Sequence, residues 1–400
     1  MHKPVLTIFY QFNPWRSSIG GIQTIIRSFI KYAPDNFDIR LVGTGDLDCR
    51  LGVWQEAEFE GTKLQFMPIL ALENDDIRTL IPTTIKYTLA LIGKDLSADF
   101  LHFHRLEPSS MAFGWKGEKT LFVHNDIQTQ MDASNSKDAI LWKRFPKIYF
   151  ALEKYLLHQF DLTYNCHTES VKFYQQLYPQ ISDKFLYLKN TVDSEIFQPL
   201  NIVEREQKRQ GLAVEFNLPL DTRFILFAGR LHPQKDPFLL VRSFANLHHF
   251  NIHLLIAGKG ELADELQAEI DLLGLTDRVT MLGPVEQRRL AALHHASSIF
   301  VLSSVYEGLP VAVLEALCSG TPVVTTNCGE TPNFLTKDSG IVCQERSVSA
   351  MSAALATVLL NPQQYPPDAC TRTASPYKAC NVVNGVYESM WQRWQQRQHN

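Results

Sequence analysis

A stretch near residue 300 constrains the fold more than any other part of the chain. It joins a short apolar run, Ile299–Leu302, to a polar turn, a segment with helical character and a second apolar run, Val323–Thr326. Short apolar runs bounded by turn residues are typical of buried strands. Pro310 suits the first position of the intervening helix, and Gly320 suits the position just past its end. The stretch therefore predicts a strand–helix–strand unit.

Two glutamates lie around the start of this predicted helix. Glu307 is in the turn before it, and Glu315 is eight positions later. The backbone N–H groups of Gly308, Leu309 and the next turn favour an anion such as a phosphate. Carboxylates beside such a group can hold sugar hydroxyls by charge-assisted hydrogen bonds. The alternative is that Glu307 caps the helix and Glu315 is a solvated surface charge.

Length and composition restrict the class of protein. A chain of 400 residues exceeds one ordinary core and predicts two domains, and a hydrophobic content of 45% is typical of a globular protein. The net charge of −4 gives no general argument for nucleic acid. Seven scattered cysteines predict neither a zinc site nor a disulfide framework, which fits a reducing cytoplasm. No signal peptide or membrane-spanning run is visible, so any membrane contact would be peripheral.

The first half of the chain alternates apolar runs with helical stretches, which indicates a parallel sheet. After the first run, Val5–Tyr10, the pair Gly20 and Gly21 opens a helix. Glycines at such a turn allow the backbone to approach a phosphate or sugar, although a plain tight turn explains them equally well. His124 follows another apolar run, at the strand end where such sheets bind ligands. A lone histidine is otherwise more often structural.

A second alternating array begins at Phe224 and carries two cations after its first run. Arg230 and Lys235 lie between a predicted strand and a helix, where a planar fork and a point charge suit a diphosphate. The alternative is a pair of surface-loop cations. Polar sequence from Pro199 to about Asp221 indicates the connection between the domains.

A glycine pattern in the second array also matches a dinucleotide-binding fingerprint. Gly258, Gly260 and Ala263 have the G-x-G-x-x-A spacing between a predicted strand and a helix. That fingerprint requires an acidic residue at the end of the next strand, and Asp277 precedes its strand instead. Nicotinamide or flavin binding is therefore not favoured.

Two further segments bear on partners and architecture. Lys137–Phe160 interleaves basic and aromatic residues, which could lie on an anionic membrane surface or form an ordinary helix with a basic face. Several prolines between Pro362 and Pro376 predict an extended crossing segment, and the residues after them are amphipathic at helical spacing.

In combination these residues resemble retaining glycosyltransferases of family 4, which have the GT-B fold. Four pieces occur in the family's order: the Gly-Gly turn, a histidine after a strand of the first domain, the G-R-L…K pattern from Gly229 to Lys235, and E-x7-E from Glu307 to Glu315. GKGE, LGPV and SGTPVV match the family's intervening pattern. The family commonly has N-G-V-D where this chain has Asn190-Thr191-Val192-Asp193, which predicts altered loop geometry at the end of the first domain, near the acceptor side.

The resemblance implies an α/β protein of the GT-B fold, with two Rossmann-like domains facing across a cleft. Residues 1–195 would form the acceptor-side domain, residues 196–378 the nucleotide-sugar-binding domain, and residues 379–400 a helix that crosses back to the first domain. The implied activity is transfer of a hexose from a nucleotide-diphosphate sugar, a UDP- or GDP-sugar, to a glycan, lipid-linked or small-molecule acceptor. The alternative is a catalytically silent homologue that acts as a binding or scaffold subunit.

The resemblance also implies a role for each matching residue. His124 and Glu307 would contact the transferred sugar as catalytic residues, Arg230 and Lys235 the diphosphate, and Glu315 the ribose. The complete set of implied donor-binding residues is Gly20, Gly21, Arg230, Lys235, Gly258, Gly308, Leu309, Pro310 and Glu315. No metal or other cofactor is expected, because the two cations can neutralise the diphosphate. The expected location is the cytoplasm or, peripherally, the inner face of the membrane, without nucleic-acid partners.

Overall fold

A computed structural model describes residues 2–16, 21–72, 81–124 and 146–399, with the backbone alone at 146–149 and 399. The chain forms two compact units: residues 1–189 together with 379–400, and residues 190–378. The division after Lys189 lies slightly before the predicted position after residue 195. Each unit is built on its own largely parallel sheet, which agrees with the α/β class predicted from the sequence.

The N-terminal unit has a sheet of eight strands within the residues described, in the order β3-β4-β2-β1-β5-β6-β7-β8. Neighbouring strands are parallel, except that β3 pairs antiparallel with β4 at the edge. The strand order reverses between β1 and β5, which pair directly. The strands are β1 Val5–Phe9, β2 Asp38–Gly45, β3 Gln55–Phe59, β4 Thr62–Ala71, β5 Phe100–Phe103, β6 Glu118–Val123, β7 Leu162–Asn165 and β8 Phe185–Tyr187.

The C-terminal unit has a parallel six-stranded sheet in the order β11-β10-β9-β12-β13-β14. Its central strands are almost wholly apolar and buried, as strands covered by helices on both faces must be. The strand order reverses between β9 and β12. The strands are β9 Arg223–Ala228, β10 Ile252–Ala257, β11 Val279–Gly283, β12 Ser297–Leu302, β13 Val323–Thr326 and β14 Gly340–Cys343.

Helices connect the strands in both units. In chain order through the described residues they are α1 Gly21–Lys31, α2 Thr83–Ala90, α3 Pro146–Leu157, α4 Thr168–Leu177, α5 Ile202–Glu215, α6 Pro237–Ala245, α7 Ala263–Leu272, α8 Gln287–Ala296, α9 Val311–Cys318, α10 Thr331–Phe334, α11 Val348–Leu360, α12 Pro367–Ala374 and α13 Ala379–His399.

The last helix, α13, belongs to the N-terminal unit. Its residues Val383, Tyr387 and Met390 are buried in the core formed by β1, β2 and α1. The Tyr387 hydroxyl donates to the carbonyl of Phe29 at 2.7 Å. Arg393 pairs with Glu118, at the start of β6, at 2.7 Å. The chain therefore leaves the N-terminal unit after β8 and returns to complete its core.

Two sequence predictions are wrong. The polar segment from Pro199 to Asp221 is not a connection between the domains, because most of it forms α5 within the C-terminal unit. The side chain of Asn201 accepts hydrogen bonds at the start of this helix and Glu204 bonds back to it, a reciprocal cap that offsets weak amphipathicity. The segment from 362 to 377 is not extended, because it folds into α12 and two short 3-10 turns. Pro362, Pro367 and Pro376 lie at the first or second positions of their helical turns and Pro366 at the cap of α12, where proline is tolerated.

Candidate functional site

The predicted donor-binding residues of the C-terminal unit lie at the reversal point of its sheet. Arg230 and Lys235 are in the loop that follows β9, and Glu307 is in the loop that follows β12. These two strands are adjacent and parallel, so both loops leave the same edge of the sheet. Ligands of open α/β sheets bind at such an edge, outside the carboxyl ends of the strands where the order reverses.

Lys235 and Glu307 form an ion pair between these two loops. The same carboxylate oxygen of Glu307 accepts a hydrogen bond from the Ser304 hydroxyl at 2.5 Å. The Ser303 hydroxyl donates to the carbonyl of Lys235 at 2.8 Å. Glu307 is only 6% exposed, and the cap position of α9 is Pro310, which has no side-chain cap. The alternative of a helix-capping Glu307 is therefore wrong.

Gln234 joins the two loops beside this ion pair, and sequence reasoning missed it. Its backbone carbonyl accepts from the N–H of Val305 at 2.8 Å, and its side-chain amide donates to the carbonyl of Tyr306 at 3.0 Å. Its side-chain oxygen accepts from the exposed guanidinium of Arg230 at 3.4 Å. Gln234 thus orients Arg230, which keeps most of its hydrogen-bonding capacity for a ligand.

Other backbone contacts fix the start of α9. The Gly308 carbonyl accepts from the N–H of Glu330 at 2.8 Å. Gly329, with φ of 63°, makes this approach possible, because an added Cβ would lie 2.4 Å from the Gly308 oxygen. Leu309 is buried, and its carbonyl accepts from the Asn190 side chain at 2.6 Å. Pro310 is at the cap and not at the predicted first helical position.

The contact between Asn190 and Leu309 corrects one sequence expectation. Asn190 begins the C-terminal unit and does not end the N-terminal one. Thr191, in place of the family's glycine, is buried and is not among the described residues with positive φ. The N-T-V-D segment therefore supports the loop before α9, and its threonine needs no left-handed backbone.

Glu315 lies in the second turn of α9 and is 6% exposed. Burial raises the pKa of its carboxyl to about 7. No described residue forms a hydrogen bond or ion pair with this carboxyl group. The alternative of a solvated surface charge is therefore wrong, and a buried acid without a partner is available to hydroxyl groups of a ligand.

The predicted glycine pattern has a structural role in the loops after β9 and β10. Gly258 has φ of 143°, and an added Cβ would lie 1.9 Å from the carbonyl oxygen of Gly229. At Gly260 the added Cβ would lie 2.2 Å from the carbonyl oxygen of Leu231. These glycines let the two loops pack in direct backbone contact, which accounts for the G-x-G spacing without a dinucleotide. A contact of Gly258 with the donor stays a prediction.

In the N-terminal unit, Gly21 follows a strand at the reversal point, and His124 follows the strand one position beyond it. Gly21 is exposed and begins α1, after β1, whereas Gly20 lies outside the described residues. His124 directly follows β6, and His104 directly follows the adjacent β5. Nδ1 of His104 and Nε2 of His124 are 3.0 Å apart, and the planes of the two rings differ by 9°.

The environment of His124 disfavours its charged form. Burial, with a contribution from the charge of Arg105, lowers the pKa of His124 to about 3. A neutral imidazole contacts ligands as a hydrogen-bond donor and acceptor, and it does not carry a proton to them.

Two absences within the described residues bear on metal binding and on membrane insertion. Within residues 2–16, 21–72, 81–124 and 146–399, no group of three or more His, Cys, Asp and Glu side chains is arranged to hold a metal ion. In the same part of the chain, no helix has the length and apolar character needed to cross a membrane.

Comparison with known proteins relates part of the chain to one family. Residues 209–374 match the family model described as "Glycosyl transferases group 1". An uncharacterized glycosyltransferase of Methanocaldococcus jannaschii is 30% identical over 229 residues, which cover 54% of this chain and 53% of that protein. The chain thus aligns with only about half the length of this curated relative.

Solved structures resemble the whole chain. Sucrose-phosphate synthase from Thermosynechococcus elongatus superposes with a TM-score of 0.81 at 15% identity, covering 98% of this chain and 100% of that one. HepE from Anabaena, in complex with UDP and glucose, has a TM-score of 0.70 at 16% identity and coverage of 97% and 99%. Residues 209–374 are therefore similar to glycosyl transferases group 1, and the whole chain has the GT-B fold of these solved structures.

Proposed function

We propose that the protein is a retaining, family 4 glycosyltransferase that moves a hexose from a nucleotide-diphosphate sugar, a UDP- or GDP-sugar, to an acceptor hydroxyl. The observation that carries the proposal is the ion pair of Lys235 with the buried Glu307 at the reversal point of the sheet. It places a cation for a diphosphate beside a carboxylate for sugar hydroxyls. The complex of HepE with UDP and glucose is consistent with this class of donor.

The donor would lie along the edge of the C-terminal sheet. Arg230 would hold the diphosphate through its planar guanidinium group, and Lys235 through its ammonium group. The helix start at Gly308, Leu309 and Pro310 would favour the phosphates or the sugar. Glu315, whose carboxyl has no partner within the described residues, would hold the ribose hydroxyls, and Gly258 would lie near the donor.

These groups fit the charge changes of glycosyl transfer. When the bond from the anomeric carbon to the diphosphate oxygen breaks, negative charge develops on the diphosphate and positive charge on the sugar. Arg230 and Lys235 stabilise the first and the Glu307 carboxylate the second. Because these two cations carry charge that a metal supplies elsewhere, we propose that transfer needs no metal.

Retention of configuration would follow a front-face pathway. The acceptor hydroxyl approaches from the side that the diphosphate leaves, its oxygen bonds to the anomeric carbon, and its proton passes to the leaving phosphate. His124 would contact the transferred sugar as a neutral hydrogen-bonding group, and Gly20 and Gly21 would approach the diphosphate. The alternative, a catalytically silent binding subunit, has no specific observation in its favour.

We propose a glycan, lipid-linked or small-molecule acceptor and a cytoplasmic location, with peripheral contact to anionic membranes through the Lys137–Phe160 segment. Residues 137–145 of that segment lie outside the described residues. In α3, Leu152, Lys154 and Tyr155 are exposed, which supports such a contact. Charge reversal of Lys143, Arg144 and Lys147 is expected to abolish co-sedimentation with anionic liposomes, and unchanged co-sedimentation would overturn the membrane proposal.

The function is tested by release of nucleoside diphosphate from a panel of UDP- and GDP-hexoses, with and without EDTA. We expect slow hydrolysis of one donor without acceptor, resistance to EDTA, and loss of at least 100-fold in Glu307→Gln. Lys337→Ala, an exposed change before β14 at the opposite edge of the same sheet, serves as the control. Donor binding without any hydrolysis or transfer would favour the silent homologue instead.

A further inference from the structure

Three histidines form a continuous row at the carboxyl ends of β5 and β6. His102 and His104 are two residues apart, so their side chains lie on the same face of the sheet. Both are almost completely buried. The His104 ring is parallel to Phe122, with centroids 4.7 Å apart, and it meets the nearly coplanar His124 ring edge to edge through the hydrogen bond between them. The position of the His124 ring is therefore set by His104.

One hydrogen atom must lie between the facing nitrogens of His104 and His124, because their separation of 3.0 Å is that of a hydrogen bond. The other nitrogen of His104, Nε2, is buried and has no partner within the described residues. A neutral imidazole carries a single N–H. If His104 carried it on Nε2, the donor would be buried without an acceptor, which proteins avoid more strictly than an unpaired lone pair.

His104 therefore carries its hydrogen on Nδ1 and donates it to Nε2 of His124. The hydrogen of His124 must then lie on its Nδ1, which forms no hydrogen bond with any residue that the structure describes. Burial lowers the pKa of both His104 and His124, and the charge of Arg105 adds to this effect at His124, so the pair stays neutral.

We propose that His104 is a positioning residue, which fixes His124 as the neutral tautomer with its hydrogen on Nδ1 and so makes it a donor to a hydroxyl oxygen of the transferred sugar. The inference rests on the proposed function for its ligand. The tautomer itself follows from the two rings alone. Second-layer partners commonly fix the tautomer of a functional histidine in this way.

The tautomer can be measured on the full-length protein without any substrate. Long-range proton–nitrogen correlation spectra of ¹⁵N-histidine-labelled protein at pH 7, assigned with His124→Gln, report which ring nitrogen carries hydrogen. We expect a neutral His124 with hydrogen on Nδ1. Hydrogen on Nε2, or a charged ring at pH 7, would overturn the proposal.

Two substitutions separate the hydrogen bond from the packing. His104→Phe keeps a stacked ring but removes the donor, and we expect a mixture of His124 tautomers and a kcat about tenfold lower. His104→Asn places an amide nitrogen near the position of Nδ1, and we expect the wild-type tautomer and a kcat within about threefold. His102→Phe, a buried change on the same strand without a bond to His124, is the matched control and should alter neither.

The proposal fails if His104→Phe leaves the His124 tautomer unchanged, or if His102→Phe disturbs it equally. Should His104→Phe not fold, the wild-type spectrum and His104→Asn still decide the question. If the wild-type protein transfers no sugar but shows the expected tautomer, the proposed function is wrong, whereas the proposed hydrogen bond from His104 to His124 is supported.

Discussion

Lys235 and Glu307 are 72 residues apart in the sequence and form an ion pair that joins the loop after β9 to the loop after β12. The side chains are 17% and 8% exposed, so neither charge is well hydrated. Removing one partner from a buried pair leaves the other charge uncompensated, and this costs more than removing both.

Lys235→Met is therefore expected to lower the free energy of unfolding by about 3 kcal/mol, measured by urea denaturation at pH 7. The double variant Lys235→Met/Glu307→Gln should recover most of this loss without recovering activity. Lys172→Met is the control, because its pair with Glu169 is exposed and should contribute less than about 0.5 kcal/mol. Equal losses in the single and double variants would contradict a charge-based explanation.

Glu315 should make the protein less stable as the pH rises. Its folded-state pKa of about 7 lies above the ordinary value of 4.5, so the folded state binds a proton that the unfolded state has already lost. The resulting stability is present below pH 4.5 and is lost as the pH rises through 7.

Glu315→Gln removes this dependence. The free energy of unfolding of this variant minus that of wild type is expected to increase by about 2 kcal/mol between pH 5.5 and pH 8.5. It is measured by urea denaturation at each pH. The exposed Glu345→Gln is the control and should show no such trend. Glu315→Gln should also weaken nucleotide binding if the ribose is held there, and a stability difference independent of pH would count against the raised pKa.

Gly258→Ala is expected to destabilise the C-terminal unit by about 3 kcal/mol or more, since its Cβ cannot fit beside the Gly229 carbonyl and its φ is positive. It should also weaken nucleotide binding, because the displaced loop carries Arg230. Gly211→Ala in α5 meets no atom within 4 Å and should stabilise by up to about 1 kcal/mol. A tolerated Gly258→Ala would show that these loops adjust more easily than their backbone contact indicates.

Nucleotide binding is expected to raise the thermal stability selectively. At 100 times its dissociation constant, the correct ligand among UDP, GDP, ADP and TDP should add about 2.7 kcal/mol. Arg230→Ala should remove most of the shift, and Lys337→Ala, an exposed change at the opposite edge of the sheet, should retain it. A shift that survives Arg230→Ala would place the diphosphate elsewhere.

Much of the architecture could be predicted because buried parallel strands leave a clear pattern. The strand Val323–Thr326 has the predicted bounds, and Glu307, Arg230 and Lys235 do follow strands of one sheet. Such strands are largely apolar and are followed by turn residues, so their ends, and the loops that carry ligands, can be located from the sequence.

The missed features depend on contacts between distant residues or on weak local patterns. Helix α5 has a polar sequence, and its stability comes from the Asn201 cap and from Arg205, which donates to the Ser319 carbonyl at 2.6 Å. The edge strand β3 is largely exposed and polar. Gln234, Asn190 and His104 act through partners that no local spacing indicates.

The position of α13 in the sequence affects the order in which the two units can complete their folding during synthesis. The C-terminal unit is one continuous segment, residues 190–378, and its sheet is complete once that segment has left the ribosome. Most of the N-terminal unit is synthesised first, but its core also contains Val383, Tyr387 and Met390, which are synthesised after the C-terminal unit. Until α13 is synthesised, Phe29 and Phe37 lack the Tyr387 ring that packs against them. The N-terminal unit is therefore expected to complete its folding after the C-terminal unit, although it precedes it in the chain.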